Sequence, residues 1–193
     1  MWRMSLTAES PTAESTRRRI LDVALELFAR QGFAATSTRE ISERLGFTKA
    51  ALYYHFHTKD DLLSALVAPV MDELTEALDK HGAGAMDDDA RRAVLADYLA
   101  VIIEHRQLLG VLVQDPSATG RPAMESGREF YLRLTGMLAA PGRPVPAERA
   151  RVRFVLGGMH AAVLFIEPDD DLAVVRDVVL DAGYAALDLT PAH

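Results

Sequence analysis

From Ile20 to the C-terminus, apolar residues recur at three- and four-residue intervals, and no segment sustains the alternation of a strand. Ile20, Ala24, Leu27 and Phe28 form one such stripe. Leu62, Leu63, Leu66, Val67, Val70, Met71, Leu74 and Leu78 form a longer one. Even the β-branched pairs Val174-Val175 and Val178-Val179 keep helical spacing. A chain patterned this way buries its stripes by packing helix on helix, so the expected fold class is all-α.

Local start and stop signals divide the pattern. Ser15 or Thr16 can cap a first helix that Gly32 ends, because glycine readily takes the left-handed conformation. Ser37-Thr38-Arg39-Glu40 reads as a capping box, in which hydroxyl and carboxylate satisfy each other's orphan N–H groups. That second helix buries Ile41 and Leu45 and stops at Gly46. Thr48 can cap a third running to Phe56. Thr58-Lys59-Asp60-Asp61 opens a fourth that reaches about Lys80, with acids complementing the helix dipole and Pro69 predicting a kink. After the break at Gly82-Ala83-Gly84, five further helices are expected, at about 88–104, 106–114, 121–139, 147–166 and 171–188.

Composition removes several functions. The chain has no cysteine, which excludes disulfides, thiolate metal sites and thiol catalysis. No apolar run approaches the roughly 20 residues of a membrane span. Residues 1–11 lack the apolar core of a secretion signal, so 1–14 is expected to be a disordered tail, starting at Met1 or Met4, and the protein cytoplasmic. Nothing matches a nucleophile elbow, a phosphate-cradling glycine loop or a metal box. No enzyme activity, cofactor or metal is therefore expected; the His55-x-His57 pair lacks the further ligands that zinc wants. A net charge of −7 argues against indiscriminate nucleic-acid binding. Residues 1–60, however, hold nine Lys/Arg against seven Asp/Glu, so any anion-facing surface belongs there.

Two short helices joined by a tight glycine turn have helix-turn-helix geometry, in which the second helix can enter the major groove. Here 38–45 would support and 49–55 would read. Phe47, Leu52 and Phe56 would face inward, leaving Lys49, Ala50, Tyr53 and Tyr54 outward. Lys49 can donate to guanine and Ala50 can lie against a thymine methyl. Tyr53, Tyr54 and His55 can donate to phosphate oxygens, while Thr38 and Lys59 stand at helix N-termini that favour phosphate. Packing remains open as an alternative for the Tyr53-Tyr54 pair, and a solvated helix start for Arg17-Arg18-Arg19.

The stretch from Arg18 to Leu63 resembles the DNA-binding domain of TetR (tetracycline-repressor) family regulators. The resemblance rests on Ile20–Phe28, Gly32-Phe33, Thr36–Gly46, Ala51–Phe56 and Lys59–Leu63, in order and without a gap. It implies a helix-turn-helix domain at 15–59 and a helical effector-binding and dimerisation domain at 60–193. It further implies a homodimeric repressor released from its DNA operator by a small ligand. Matched by position, Thr38 and Arg39 open the supporting helix, Thr48 precedes the reader, and Lys49, Ala50 and Ala51 take base-reading positions. Tyr53, Tyr54 and His55 take its backbone-contacting end, and Lys59 the phosphate-binding lysine. The small Ala50-Ala51 pair departs from members with larger readers.

The last two helices carry more apolar residues than one core face requires, and the resemblance implies that they pair with a second copy. The central helices should enclose a mainly apolar ligand, with Tyr98, Ile102, His105, Leu109, Met124, Phe130, Tyr131 and His160 as candidate lining; ordinary core packing would suit the same residues. A rival expectation is a protein of this fold acting through protein contacts or as an activator.

Overall fold

Where a capping side chain precedes an apolar stripe, a helix begins. The computed structural model describes residues 13–82, 86–114, 125–140 and 145–189. Among them are α1 (Ala13–Gln31), α2 (Thr38–Leu45), α3 (Lys49–His55), α4 (Lys59–Asp79), α5 (Asp88–Glu104), α6 (Arg106–Gln114), α7 (Glu125–Leu138), α8 (Val145–Leu164) and α9 (Leu172–Ala186). No strand occurs among the described residues. The tail expected at 1–14 falls almost wholly outside them.

Several local expectations are corrected. α1 starts at Ala13, so Ser15 and Thr16 lie within its first turn. The expected capping box of α2 is half made: Ser37 Oγ accepts from Glu40 N at 3.1 Å. The Glu40 carboxylate instead accepts from Gln31 Nε2 at 2.8 Å, tying α2 to the end of α1. A complete box stands at α4, where Thr58 and Asp61 cap each other. Pro69 lies inside α4, whose helix runs on either side of it. Pro69 is exposed, so water can serve the carbonyl that a proline leaves without a donor.

Two cores form. The first gathers Ile20, Ala24, Leu27 and Phe28 of α1 with Phe33, Ile41, Leu52, Phe56, Leu62, Leu63 and Val67. Phe28 and Phe33 meet edge to face at 5.0 Å. Each fully buried side chain of this size contributes roughly 1.5–3 kcal/mol. Leu108 and Val111 of α6 belong to the same core. A boundary at 59/60 thus follows chain order better than packing, since α4 and α6 both plug into the N-terminal unit.

The second core joins α4, α5, α7 and α8 through Leu74, Leu95, Leu99, Leu134, Leu156 and Met159, among others. Arg91, only 3 % exposed, is kept there by donating to the Leu138 carbonyl at the end of α7 and to Asp88. α9 packs through Gly183, where a Cβ would stand 3.0 Å from Leu95 Cδ2. Gly157-Gly158, small residues suited to close helix packing, meet nothing within 4 Å and face outward.

That outward side is apolar. Phe154 is 76 % exposed, Val178 63 % and Val174 57 %. Phe154, Gly158 and Ala162 of α8 and Val178 and Ala182 of α9 line one shallow groove. No helix among the described residues is long and apolar enough to cross a membrane.

Candidate nucleic-acid interface and ligand cavity

The turn between α2 and α3 is built from backbone chemistry. Gly46 takes φ +69°, and its N–H and that of Phe47 donate to the carbonyls of Glu43 and Ser42 at 3.1 and 2.8 Å. Thr48 Oγ1 then accepts from Ala51 N at 3.2 Å and starts α3. Leu52, fully buried, and Phe56 hold the inner side of α3 against α1 and α2. Phe47, expected inward, is only half-buried, with the Arg19 guanidinium 5.5 Å from its ring. Arg17 stands similarly over Phe56 at 5.0 Å.

The outer side presents Thr48, Lys49, Ala50 and Tyr54 to solvent, with Tyr54 81 % exposed. Tyr53 and His55 are half-buried. The Lys49 ammonium lies 5.3 Å from the Tyr53 ring, and the Tyr54 and His55 rings meet edge-on at 5.2 Å. One helical face therefore offers a cation, a small apolar side chain and an aromatic hydroxyl. On α2, Thr38 is half-buried and Arg39 exposed, with Arg39 Nε donating to Glu43 at 2.7 Å. An exposed pair of this kind is weak, so a phosphate can compete for the guanidinium.

Lys59 is a different case. Its ammonium donates to three carbonyls, Phe33 at 2.6 Å, Thr36 at 2.9 Å and Ala34 at 3.1 Å, and stands 4.4 Å from the Phe33 ring. An ammonium has three protons. All three are engaged with the loop after α1, so Lys59 clamps that loop to the start of α4. Just before α4 the Asp61 carboxylate accepts from His57 N and Thr58 N at 3.0 and 2.9 Å. Those backbone bonds, that of Thr58 foremost, hold the Asp61 pKa below its ordinary value. Nothing in sequence spacing signals the clamp, because its partners lie 23 to 26 positions away.

The central helices enclose a cavity of about 180 Å³. Of the eight expected lining residues it brings together Tyr98, Ile102, His105, Leu109, Phe130, Tyr131 and His160; Met124 lies outside the described residues. α4 adds Val67, Val70, Met71 and Leu74, and α6 adds Leu108; Leu112, which sequence alone also suggests as lining, is there too. Val67 and Leu108 are at once cavity wall and N-terminal core. Tyr98 and His160 are joined Oη to Nε2 across the cavity wall. Burial lowers the His160 pKa and raises that of Tyr98. At the rim His105 Nε2 meets Glu73 at 2.9 Å, and with Glu104 these three bring metal-competent atoms within 4.8 Å of one another.

A helix-turn-helix unit whose core reaches into a second, cavity-bearing helical domain defines a class of protein. Residues 20–66 match the description "Bacterial regulatory proteins, tetR family". The chain is similar to that family over these residues, about a quarter of its length. Its likeness to the HTH-type transcriptional regulator AcrR of Shigella flexneri is 50 % identity over 54 residues, 28 % of this chain and 25 % of that protein. The match to AcrR thus spans only a quarter of its length. A transcriptional repressor of Mycobacterium tuberculosis is 28 % identical over 172 residues, 84 % of this chain and 90 % of its own. The crystal structure of AmtR from Mycobacterium smegmatis superposes on 98 % of this chain and 90 % of its own, with a TM-score of 0.72 at 25 % identity.

Proposed function

We propose that this protein is a sequence-specific DNA-binding transcriptional repressor, working as a homodimer and released from its operator by a small, mainly apolar ligand. The observation that carries it is α3: a capped, solvent-facing helix anchored by Leu52 and Phe56, presenting Lys49, Ala50 and Tyr54 outward. Lys49 and Ala50 read bases; Tyr54, with Tyr53, His55, Thr48, Thr38 and Arg39 around it, positions the helix on phosphates. Lys59 supports the interface from within.

The exposed apolar groove of α8 and α9 supports dimerisation, because a second copy would cover Phe154 and Val178 and let Gly158 face its mate closely. Two readers in a symmetric pair bind half-sites roughly 34–36 Å apart. A ligand in the central cavity presses on Val67 and Leu108, which also anchor the N-terminal core, and so biases the spacing of the readers. A nearly complete switch needs differential binding of about 5.5 kcal/mol between the two spacings.

The test is a gel-shift with DNA flanking the protein's own gene, across a salt series. Retardation of that DNA over random sequence, weakening steeply with salt, is expected. Equal affinity for flanking and random DNA contradicts the proposal, and binding of a protein partner in its place favours a regulator that acts through protein contacts.

A further inference from the structure

Among the described residues, the central cavity is lined by no Lys, Arg, Asp or Glu. Much of its hydrogen-bonding capacity is concentrated where Tyr98 on α5 meets His160 on α8. Tyr98 is 4 % exposed, and its ring lies nearly parallel to that of Phe130, 6.2 Å away at 23°. Both members of the pair are uncharged at neutral pH, since burial disfavours phenolate and imidazolium alike. Between a neutral phenol and a neutral imidazole the shared proton lies on Oη or on Nε2, according to the tautomer. In either arrangement Tyr98 Oη keeps one further hydrogen-bonding position, a lone pair or its own proton, for an incoming hydroxyl. Among the described residues His160 makes no second hydrogen bond.

Size and charge narrow what can enter. An apolar cavity of roughly 150 Å³ accepts benzene, so about 180 Å³ accommodates one ring with a small substituent or two. A carboxylate or phosphate would lose its hydration and find no cation in exchange among the described lining residues. A bare hydrocarbon would leave Tyr98 Oη and the imidazole unused.

The geometry points to a neutral, single-ring molecule bearing one hydroxyl as the ligand class of this cavity, its hydroxyl hydrogen-bonded to Tyr98 Oη while Phe130 and Tyr131 flank the ring. This deepens the proposed ligand response and rests on the cavity being the effector site. The same dyad discriminates, because a site that hydrogen-bonds a hydroxyl rejects the analogue lacking it far better than an apolar pocket rejects an extra methyl.

Calorimetric titration of the full chain with p-cresol, toluene and 4-methylbenzoate tests it. The unmodified protein should bind p-cresol at least tenfold tighter than toluene and leave 4-methylbenzoate unbound. Tyr98→Phe should bring the p-cresol to toluene ratio close to one, with far-UV circular dichroism checking that the variant is folded. The ranking on the unmodified chain decides the matter even if the variant does not fold. Equal binding of p-cresol and toluene, preference for the carboxylate, or no binding of any probe overturns the assignment. A protein that still retards its operator DNA while ignoring p-cresol overturns only the ligand class; one that binds p-cresol but no specific DNA overturns only the regulator.

Discussion

Replacing Lys59 by alanine separates two roles for a lysine at the start of α4. The ammonium makes three charge-assisted hydrogen bonds, to the carbonyls of Phe33, Ala34 and Thr36, and faces the Phe33 ring. Such bonds contribute about 1.5–3 kcal/mol apiece when dry, but Lys59 is half-exposed and water can take its place at the outer carbonyls, so the expected loss is about 2–4 kcal/mol. For a chain of this length that corresponds to a melting point lower by roughly 5–15 °C. Urea denaturation of the full chain measures the loss, and fluorescence anisotropy with operator DNA over a salt series measures the contact. A lysine bound to phosphate contributes about 0.9 to the slope of log K against log salt. The clamp predicts a clear loss of stability and an unchanged slope at temperatures well below unfolding. A slope reduced by about 0.9 with stability intact would show that Lys59 leaves its carbonyls for DNA, and would refute the reasoning.

Tyr54→Ala, at a side chain 81 % exposed, should change stability by less than about 0.5 kcal/mol while weakening binding to all DNA alike. Lys49→Ala should cost about 1–3 kcal/mol on the true site only, read from affinities for specific and random duplexes. Val178→Arg, in the exposed groove, should turn a dimer into a folded monomer by light scattering; a persisting dimer would move the interface elsewhere. Burial lowers the His160 pKa, so the unfolded chain takes up a proton near the usual 6.5 while the folded one does not. The contribution of neutral His160 is intact above that value and is lost as pH falls from there through the lowered folded pKa. Urea denaturation at pH 7.5 and 5.5 should show a smaller loss in His160→Gln than in the parent; an equal loss removes His160 from the account.

What was legible in the residues alone is what local chemistry decides. Gly46 and Thr48 are chain neighbours of the groups they satisfy, so the α2–turn–α3 unit could be read from hydroxyl, glycine and apolar spacing. Leu52 and Phe56 followed from helical periodicity. Pairings across the chain were not legible. Glu40 looked like a capping-box carboxylate and instead found Gln31, while Asp61 closed a box of its own. Lys59 looked like a surface cation because the carbonyls it holds belong to a loop more than twenty positions earlier. Tyr98 and His160 were each expected at the cavity, yet their mutual bond spans 62 positions and exists only once α5 and α8 pack. Gly157-Gly158 and Gly183 are equally small; only packing distinguishes the buried contact at Gly183 from the outward pair.

The chain has no cysteine, so Ala50→Cys creates a single thiol on the exposed face of α3. Attaching an iron-chelate cleavage reagent to it and mapping strand scission on operator DNA asks directly whether this helix enters the groove. Scission should fall in two clusters about one helical turn apart, roughly 34–36 Å, on the specific site alone. Scission spread evenly along the DNA, or none from Ala50→Cys on DNA that the protein binds, would mean that another surface meets the DNA.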